Sequence, residues 1–288
     1  MNSEQFLQEV LDSDLCPAGF SEIYEQFQQY QQAALKTLRE FHRVCEKNGV
    51  DYQLAFGSLL GAVRDGGQIP WDYDVDVIVP YEQKDKLVEA LKKDLDEAFY
   101  FYCPDVAPKC RHYMMRLAPV EYRSEVLHVD VFYCAGLPDD QQQREQNAKC
   151  LNRLYRNRYR KLVKFKDGTS GRLRSWVMLL LRKLSLCCVS VSRMDKEFEH
   201  LSRTWPLKGS TYCKVIGSNN LIFDTEMLWE TELIETNEGT LRITKNYETL
   251  LQMIYKDYRR IYPLESRLAE MMGHYNQLTR SGCQKGKE

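Results

Sequence analysis

Three aspartates, Asp72, Asp74 and Asp76, alternate with Tyr73, Val75 and Val77 in the run DYDVDVIVP. Side chains on an extended chain alternate with period two, so on a strand these carboxylates share one face and repel. Acids are poor strand formers and crowded carboxylates resist ionisation, so such a face calls for a cation or for positive partners. The plainer reading puts the acids in a loop, solvated, with the strand beginning at Val75. The apolar VIVP that follows fixes the strand and brings at least Asp76 into its start. A further acid, Asp130, interrupts VLHVDVF, residues 126–132, a second strand-like run. On its own it reads as an acid paired with some arginine, and beside Asp74 and Asp76 it reads as the third carboxylate of one site.

Two aspartates at i and i+2, with a third on a neighbouring strand, can hold Mg2+ or Mn2+ between protein and phosphate oxygens, since hard carboxylates suit these ions better than zinc. Such ions polarise phosphorus and compensate the charge of entering and leaving oxygens, which is most of what phosphoryl transfer requires. Upstream, Gly57 and Ser58 precede a short helical run. Glycine lets the backbone approach a phosphate, while Ser58 offers a hydroxyl and an amide where the helix dipole favours an anion. Arg64 could clamp a phosphate bidentately. Trp71 and Tyr73 could stack on a base, although aromatics flanking a strand are more often core.

The elements that must position these residues follow from periodicity. Apolar residues at three-and-four spacing predict a helix over 21–48, ended by Asn48-Gly49. VDYQLAF, residues 50–56, alternates as a half-buried strand and delivers the chain to Gly57-Ser58. A short helix over 59–64 is closed by Asp65-Gly66-Gly67, the acid-bearing strand comes next, and a helix is expected over 83–99. Beyond Pro138 come a Gln-rich connection, a basic helical stretch, short strands around KVIG and TLRIT, a helix over YETLLQMIYKDYRRIYP, and a loose tail SGCQKGKE. The expected class is α/β with a mixed sheet, divided into a catalytic core over 22–136, a basic helical insertion over 137–210 and C-terminal strands and helix over 211–288.

Composition frames this reading. The 288 residues suffice for a core, and a net charge of −1 argues against a general nucleic-acid binder. The start, MNSEQFLQEVLDSD, reads as neither signal peptide nor anchor, so a cytoplasmic location is expected. The ten cysteines are irregularly spaced without C-x-x-C, which predicts reduced thiols, and no histidine spacing suggests zinc. Charge is uneven, with twelve Lys or Arg and only Asp167 as an acid between Leu151 and Arg193. Inside this block WVMLLLRKLSLCCVSV, residues 176–191, is shorter than the roughly 20 apolar residues of a membrane span. Length favours a buried helix with solvated basic flanks, and a helix lying on an anionic membrane surface is the alternative.

Strand, Gly-Ser, helix, turn, D-x-D strand and a third acid on another strand is the order of the polymerase beta-like nucleotidyltransferase fold. More specifically, GSLLGAVRDGGQIPWDYDVDV resembles the signature of the LicD family, which includes phosphocholine transferases and fukutin-related ribitol-phosphate transferases. HVDVF and the tyrosine-rich LLQMIYKDYRRIYP are similar to the family too, and the likeness is strongest from Leu38 to Tyr81. The resemblance implies that Gly57 and Ser58 bind phosphate and that Asp74, Asp76 and Asp130 bind metal. It also implies that Asp130 helps deprotonate the acceptor hydroxyl and that Asp72 is an auxiliary acid. Tyr73 stands where many bacterial members carry aspartate. The implied reaction moves a substituted phosphate, above all phosphocholine, from a CDP-linked donor such as CDP-choline to a hydroxyl of a cell-surface glycan or its lipid-linked precursor. The basic block would then touch the cytoplasmic membrane face or the phosphates of the acceptor. A nucleotide-sugar glycosyltransferase, a true nucleotidyltransferase and a non-catalytic binding module are the competing readings.

Overall fold

The computed structural model describes residues 1–122, 126–165, 173–218 and 221–281. A short helix Ser3–Leu11 (α1), capped by Asn2 and Gln5, lays Phe6 and Val10 against the body. The long helix Phe20–Asn48 (α2) follows the predicted periodicity, burying Phe27, Ala34, Leu38 and Phe41 along one stripe, and ends at Gly49.

This stripe supports a mixed sheet. Gln53–Leu54 (β1) pairs antiparallel with Val75–Pro80 (β2), which runs parallel to Val129–Leu137 (β5). Met115–Pro119 (β4) lies antiparallel on β5 and carries Phe99–Tyr102 (β3) at its outer edge. The later half of β5 takes Tyr212–Val215 (β6), which pairs with Phe223–Asp224 (β7), so β4 and β6 share one side of β5. Val75, Val77, Val129, Val131, Met115 and Leu117 are all buried and alternate with the polar residues of the other face.

Several boundaries differ from the sequence reading. The expected strand over 50–56 shrinks to two residues, and the following helix, Phe56–Arg64 (α3), begins early enough to contain Gly57 and Ser58. Strand β2 begins at Val75, so Asp72 and Asp74 lie in the loop before it and only Asp76 is in the strand. The helix expected over 83–99 is a single tight turn, Tyr81–Gln83, followed by Lys84–Asp94 (α4). Leu95 is already extended, and the aromatic FYFY behind it has the residue types of a strand. The helix over YETLLQMIYKDYRRIYP stops at Tyr255, where Lys256 adopts φ +60°, and a further helix, Leu264–Arg280, starts after Pro263. Of the tail SGCQKGKE, all beyond Ser281 lies outside the described residues.

The basic block forms Gln141–Leu162 (α5), Leu173–Ser185 (α6) and Val191–Thr204 (α7). Arg158 of α5 is fully buried, pairs with Asp195 of α7 and donates to the carbonyls of Cys110 and Pro108, while Tyr113 stacks on Phe198. The expected burial of the apolar run is overturned. Helix α6 meets the body along one side, Leu179 is its only buried residue among those described, and Leu180, Leu181 and Leu184 face solvent. Among the described residues all cysteines are free thiols.

Candidate active site

The acids are assembled by the turn from β1 into α3. Phe56 takes φ +46°, rare for a bulky residue, and its ring packs edge-on against Phe132. The Ala55 amide donates to the Asp76 carbonyl at 3.0 Å, and the Asp76 amide donates to Ser58 Oγ at 2.9 Å. Ser58 thus joins the first turn of α3 to the start of β2. A Cβ on Gly57 would sit 3.2 Å from Asp72 Oδ2, so a side chain there would press on that carboxylate. Asp72 Oδ1 accepts the Asp74 amide at 3.0 Å, fixing the loop in which both acids stand, and Gln31 of α2 donates to the Asp72 carbonyl at 2.7 Å.

Asp76 and Asp130 are direct register partners across β2 and β5, and Arg116 is the register partner of Asp130 on β4. One row across three strands therefore reads acid, acid, base. Arg116 Nε donates to Asp130 Oδ1 at 2.8 Å, and His128 Nε2 lies 3.0 Å from the same oxygen. The consequences differ by residue. Burial, then the charges of Asp130, Asp74 and Asp72, push the Asp76 carboxyl well above the usual carboxylate range. Asp74 reaches the surface, yet removal from bulk water and the neighbouring Asp72 raise it to about 6. Burial would raise Asp130 as well, but His128 and Arg116 outweigh it and hold that carboxyl below its ordinary value.

His274, on the helix Leu264–Arg280, approaches from the other side, with Nε2 3.9 Å from Asp72 Oδ1 and its ring edge-on to Tyr73. Burial favours its neutral form, but Glu270, Asp72 and Asp74 together raise its pKa. Asp72, Asp74 and His274 each offer a ligand atom within 4.8 Å of one another. Tyr255 completes the surroundings, its hydroxyl made harder to ionise by burial and by Asp76 and Asp72.

Among the residues picked from sequence, Gly57, Ser58, Asp72, Asp74, Asp76 and Asp130 come together. Arg64 and Trp71 do not reach them with free groups. The Arg64 side chain is 7% exposed and bonded to Asp65 at 2.7 Å, and Asp65 in turn holds the N-terminal amine at 3.0 Å. Trp71 is 3% exposed, packed on Phe6 with the guanidinium groups of Arg64 and Arg267 over its ring, so it is buried away from any base. Sequence reading passed over Arg116, His128, Tyr255 and His274 as site residues. His128 carried a local signal, two positions before Asp130, whereas His274 lies far downstream in a helix and carried none.

A row of carboxylates met by a glycine–serine helix start is an arrangement suited to phosphate oxygens and a hard cation. Residues 49–165 match the family model described as LicD/FKTN/FKRP, nucleotidyltransferase domain, a span holding all six converging residues. The chain is 23% identical over 257 residues to the lipopolysaccharide cholinephosphotransferase LicD of Haemophilus influenzae, covering 82% of this chain and 92% of that protein. A stretch of 47 residues is 57% identical to the ribitol 5-phosphate transferase FKRP of Mus musculus and of Homo sapiens, covering 15% of this chain and 10% of each relative. The protein is a phosphotransferase of LicD type. Its likeness to the LicD family is carried by residues 49–165 and extends, at lower identity, over most of the chain.

Proposed function

We propose that this phosphotransferase moves a substituted phosphate, phosphocholine first, from a CDP-linked donor to a hydroxyl of a cell-surface glycan or its lipid-linked precursor, releasing CMP. The choice of phosphocholine follows the Haemophilus influenzae relative, whose likeness spans most of both chains. The reading includes a polymerase beta-like core and a cytoplasmic working place. No helix among the described residues is long and apolar enough to cross a membrane.

The observation that carries the proposal is the facing pair Asp76 and Asp130 with Asp72 and Asp74 beside them. Burial and mutual repulsion leave Asp76 reluctant to ionise, which is what a carboxylate awaiting a cation shows. The donor set is hard oxygen with one imidazole, and it fits Mg2+ or Mn2+. By the family resemblance Asp74, Asp76 and Asp130 would hold the ion, while the ligand atoms that already lie within 4.8 Å of one another are those of Asp72, Asp74 and His274, so Asp74 is common to both sets. When bound, the ion supplies charge compensation at the phosphate oxygens.

The chain's own groups do the rest. Ser58 Oγ accepts from Asp76, so its hydroxyl hydrogen remains to donate to a phosphate oxygen at the first turn of α3. Gly57 keeps that approach clear. Arg116 and His128 both engage Asp130 Oδ1 and keep the group ionised and oriented, and Oδ2 is given the acceptor's proton.

The test is CMP release with Mg2+ across CDP-choline, CDP-ribitol, CDP-glycerol and UDP-sugars, with Asp74→Asn as control. CMP from one CDP donor, lost in the variant, supports the reading. Pyrophosphate as product, or silence with every donor, overturns it.

A further inference from the structure

Between α5 and α6 lies a cavity of about 670 Å3, open to solvent, with Arg156 and Arg160 on one wall and Arg174 and Arg182 on the other. Tyr155, Met178 and Leu179 supply an apolar floor. Among the described residues, no carboxylate pairs with any of these four arginines. The crowding bears on Arg160, whose pKa is lowered by burial and then by the charges of Arg182 and Arg156. A cavity walled by unbalanced guanidinium groups fits an anion with several oxygens, phosphate above all.

The outer side of the same helix is apolar. Leu173, Trp176, Val177, Leu180, Leu181 and Leu184 are exposed, with Leu181 at 54% and Leu184 at 56%. Spacing therefore gives α6 two working faces, a basic one turned to the cavity and an apolar one turned away from the body. Cations beside an exposed apolar stripe, with no acid on the helix, match the charge and chemistry of an anionic bilayer surface.

We propose that this cavity receives the phosphate headgroup of an anionic membrane lipid while the outer face of α6 lies in the bilayer interface. The site is distinct from the acids but not remote. His112 and Tyr155, which line it, both feel the charges of Asp130 and Arg116. The inference concerns binding alone and stands apart from the donor reading, because its test requires no turnover.

The test is flotation of the full chain with phosphatidylcholine vesicles, with and without phosphatidylglycerol. The wild type should float only with phosphatidylglycerol. Arg174→Glu with Arg182→Glu should lower partition at least about tenfold, and Leu181→Glu with Leu184→Glu should do the same while melting at the wild-type temperature. Lys149→Glu, on α5 but outside the cavity, should float normally. Equal loss in Lys149→Glu would mean a diffuse charge effect and overturn the site. Unchanged partition in either double variant overturns it also. Calorimetry with inorganic phosphate separates the sources, since tight phosphate binding that is lost in the arginine variant would assign the cavity to a soluble ligand. A dimer that buries α6 in the absence of vesicles would assign the face to a second copy.

Discussion

Asp76 and Asp130 face each other in parallel register across β2 and β5, and only Asp130 has a cationic neighbour on its far side. The pair is therefore asymmetric, with one carboxyl held ionised and the other pushed toward protonation. Replacing the strained member should separate stability from activity. In metal-free buffer Asp76→Asn removes a buried repulsion and should raise stability by about 1 to 3 kcal/mol. CMP release should fall roughly a hundredfold or more, the scale of losing a preorganised electrostatic group. Adding Mg2+ should raise the melting temperature of the wild type and not of the variant. A variant less stable than wild type without metal would sink this account of the pair.

Arg116 is the counterweight. Its side chain is 16% exposed and that of Asp130 19%, so water screens the pair only in part. Arg116→Met strands a carboxylate in a poorly solvated place and should cost about 2 kcal/mol or more. Adding Asp130→Asn should recover a substantial part of that loss. A double-mutant cycle by urea denaturation reads the coupling directly, and additive losses would show that the contact contributes nothing.

How much of this was legible in the residues depends on range. Helix α2 and the apolar VIVP were readable because local periodicity and burial agree over several turns or pleats. The four acids, Gly57 and Ser58 were readable because crowded carboxylates and a glycine–serine helix start are costly or distinctive in themselves. Arg116 and His274 become site residues only through β4 pairing with β5 and through a helix that returns from the far end of the chain. Arg64 and Trp71 misled for the opposite reason. Their types suit ligand binding, but Asp65, Phe6 and Arg267 occupy them first. The apolar run of α6 misled because length predicts burial only when something packs on the helix.

Lys214 gives a pH signature away from the acids. It lies fully buried on β6, where desolvation, opposed only weakly by Cys134, pulls its ammonium from 10.5 down to about 8. The unfolded chain keeps that proton up to its higher pKa, so between pH 8 and 10.5 the unfolded state binds more protons and stability rises with pH. Below about 8 both states are protonated and the slope vanishes. Lys214→Met lacks this contribution. Its stability advantage over wild type should shrink by on the order of 3 kcal/mol across that window. Urea melts of both proteins at several alkaline pH values provide the comparison, and a constant gap would place the ammonium in a solvated site.

Gly61 controls the loop that presents the acids. A Cβ there would come within 2.5 Å of the Gly67 carbonyl, a backbone atom that cannot swing aside. The same turn is gripped from outside, since Asn237 donates to the Gly66 carbonyl at 2.9 Å and Glu238 accepts the Gln68 amide at 3.0 Å. Gly61→Ala must therefore push the turn toward this clamp, and overpacking of this kind costs about 1 to 3 kcal/mol. The displaced segment leads through Trp71 into Asp72 and Asp74, so CMP release should fall by more than the fraction of protein unfolded accounts for. Removing the clamp with Glu238→Ala in the same chain should restore part of the melting temperature by giving the turn room. If Glu238→Ala adds its own loss in full, the turn is not held between the two contacts, and Gly61 acts on the acids by some route other than the 65–68 turn.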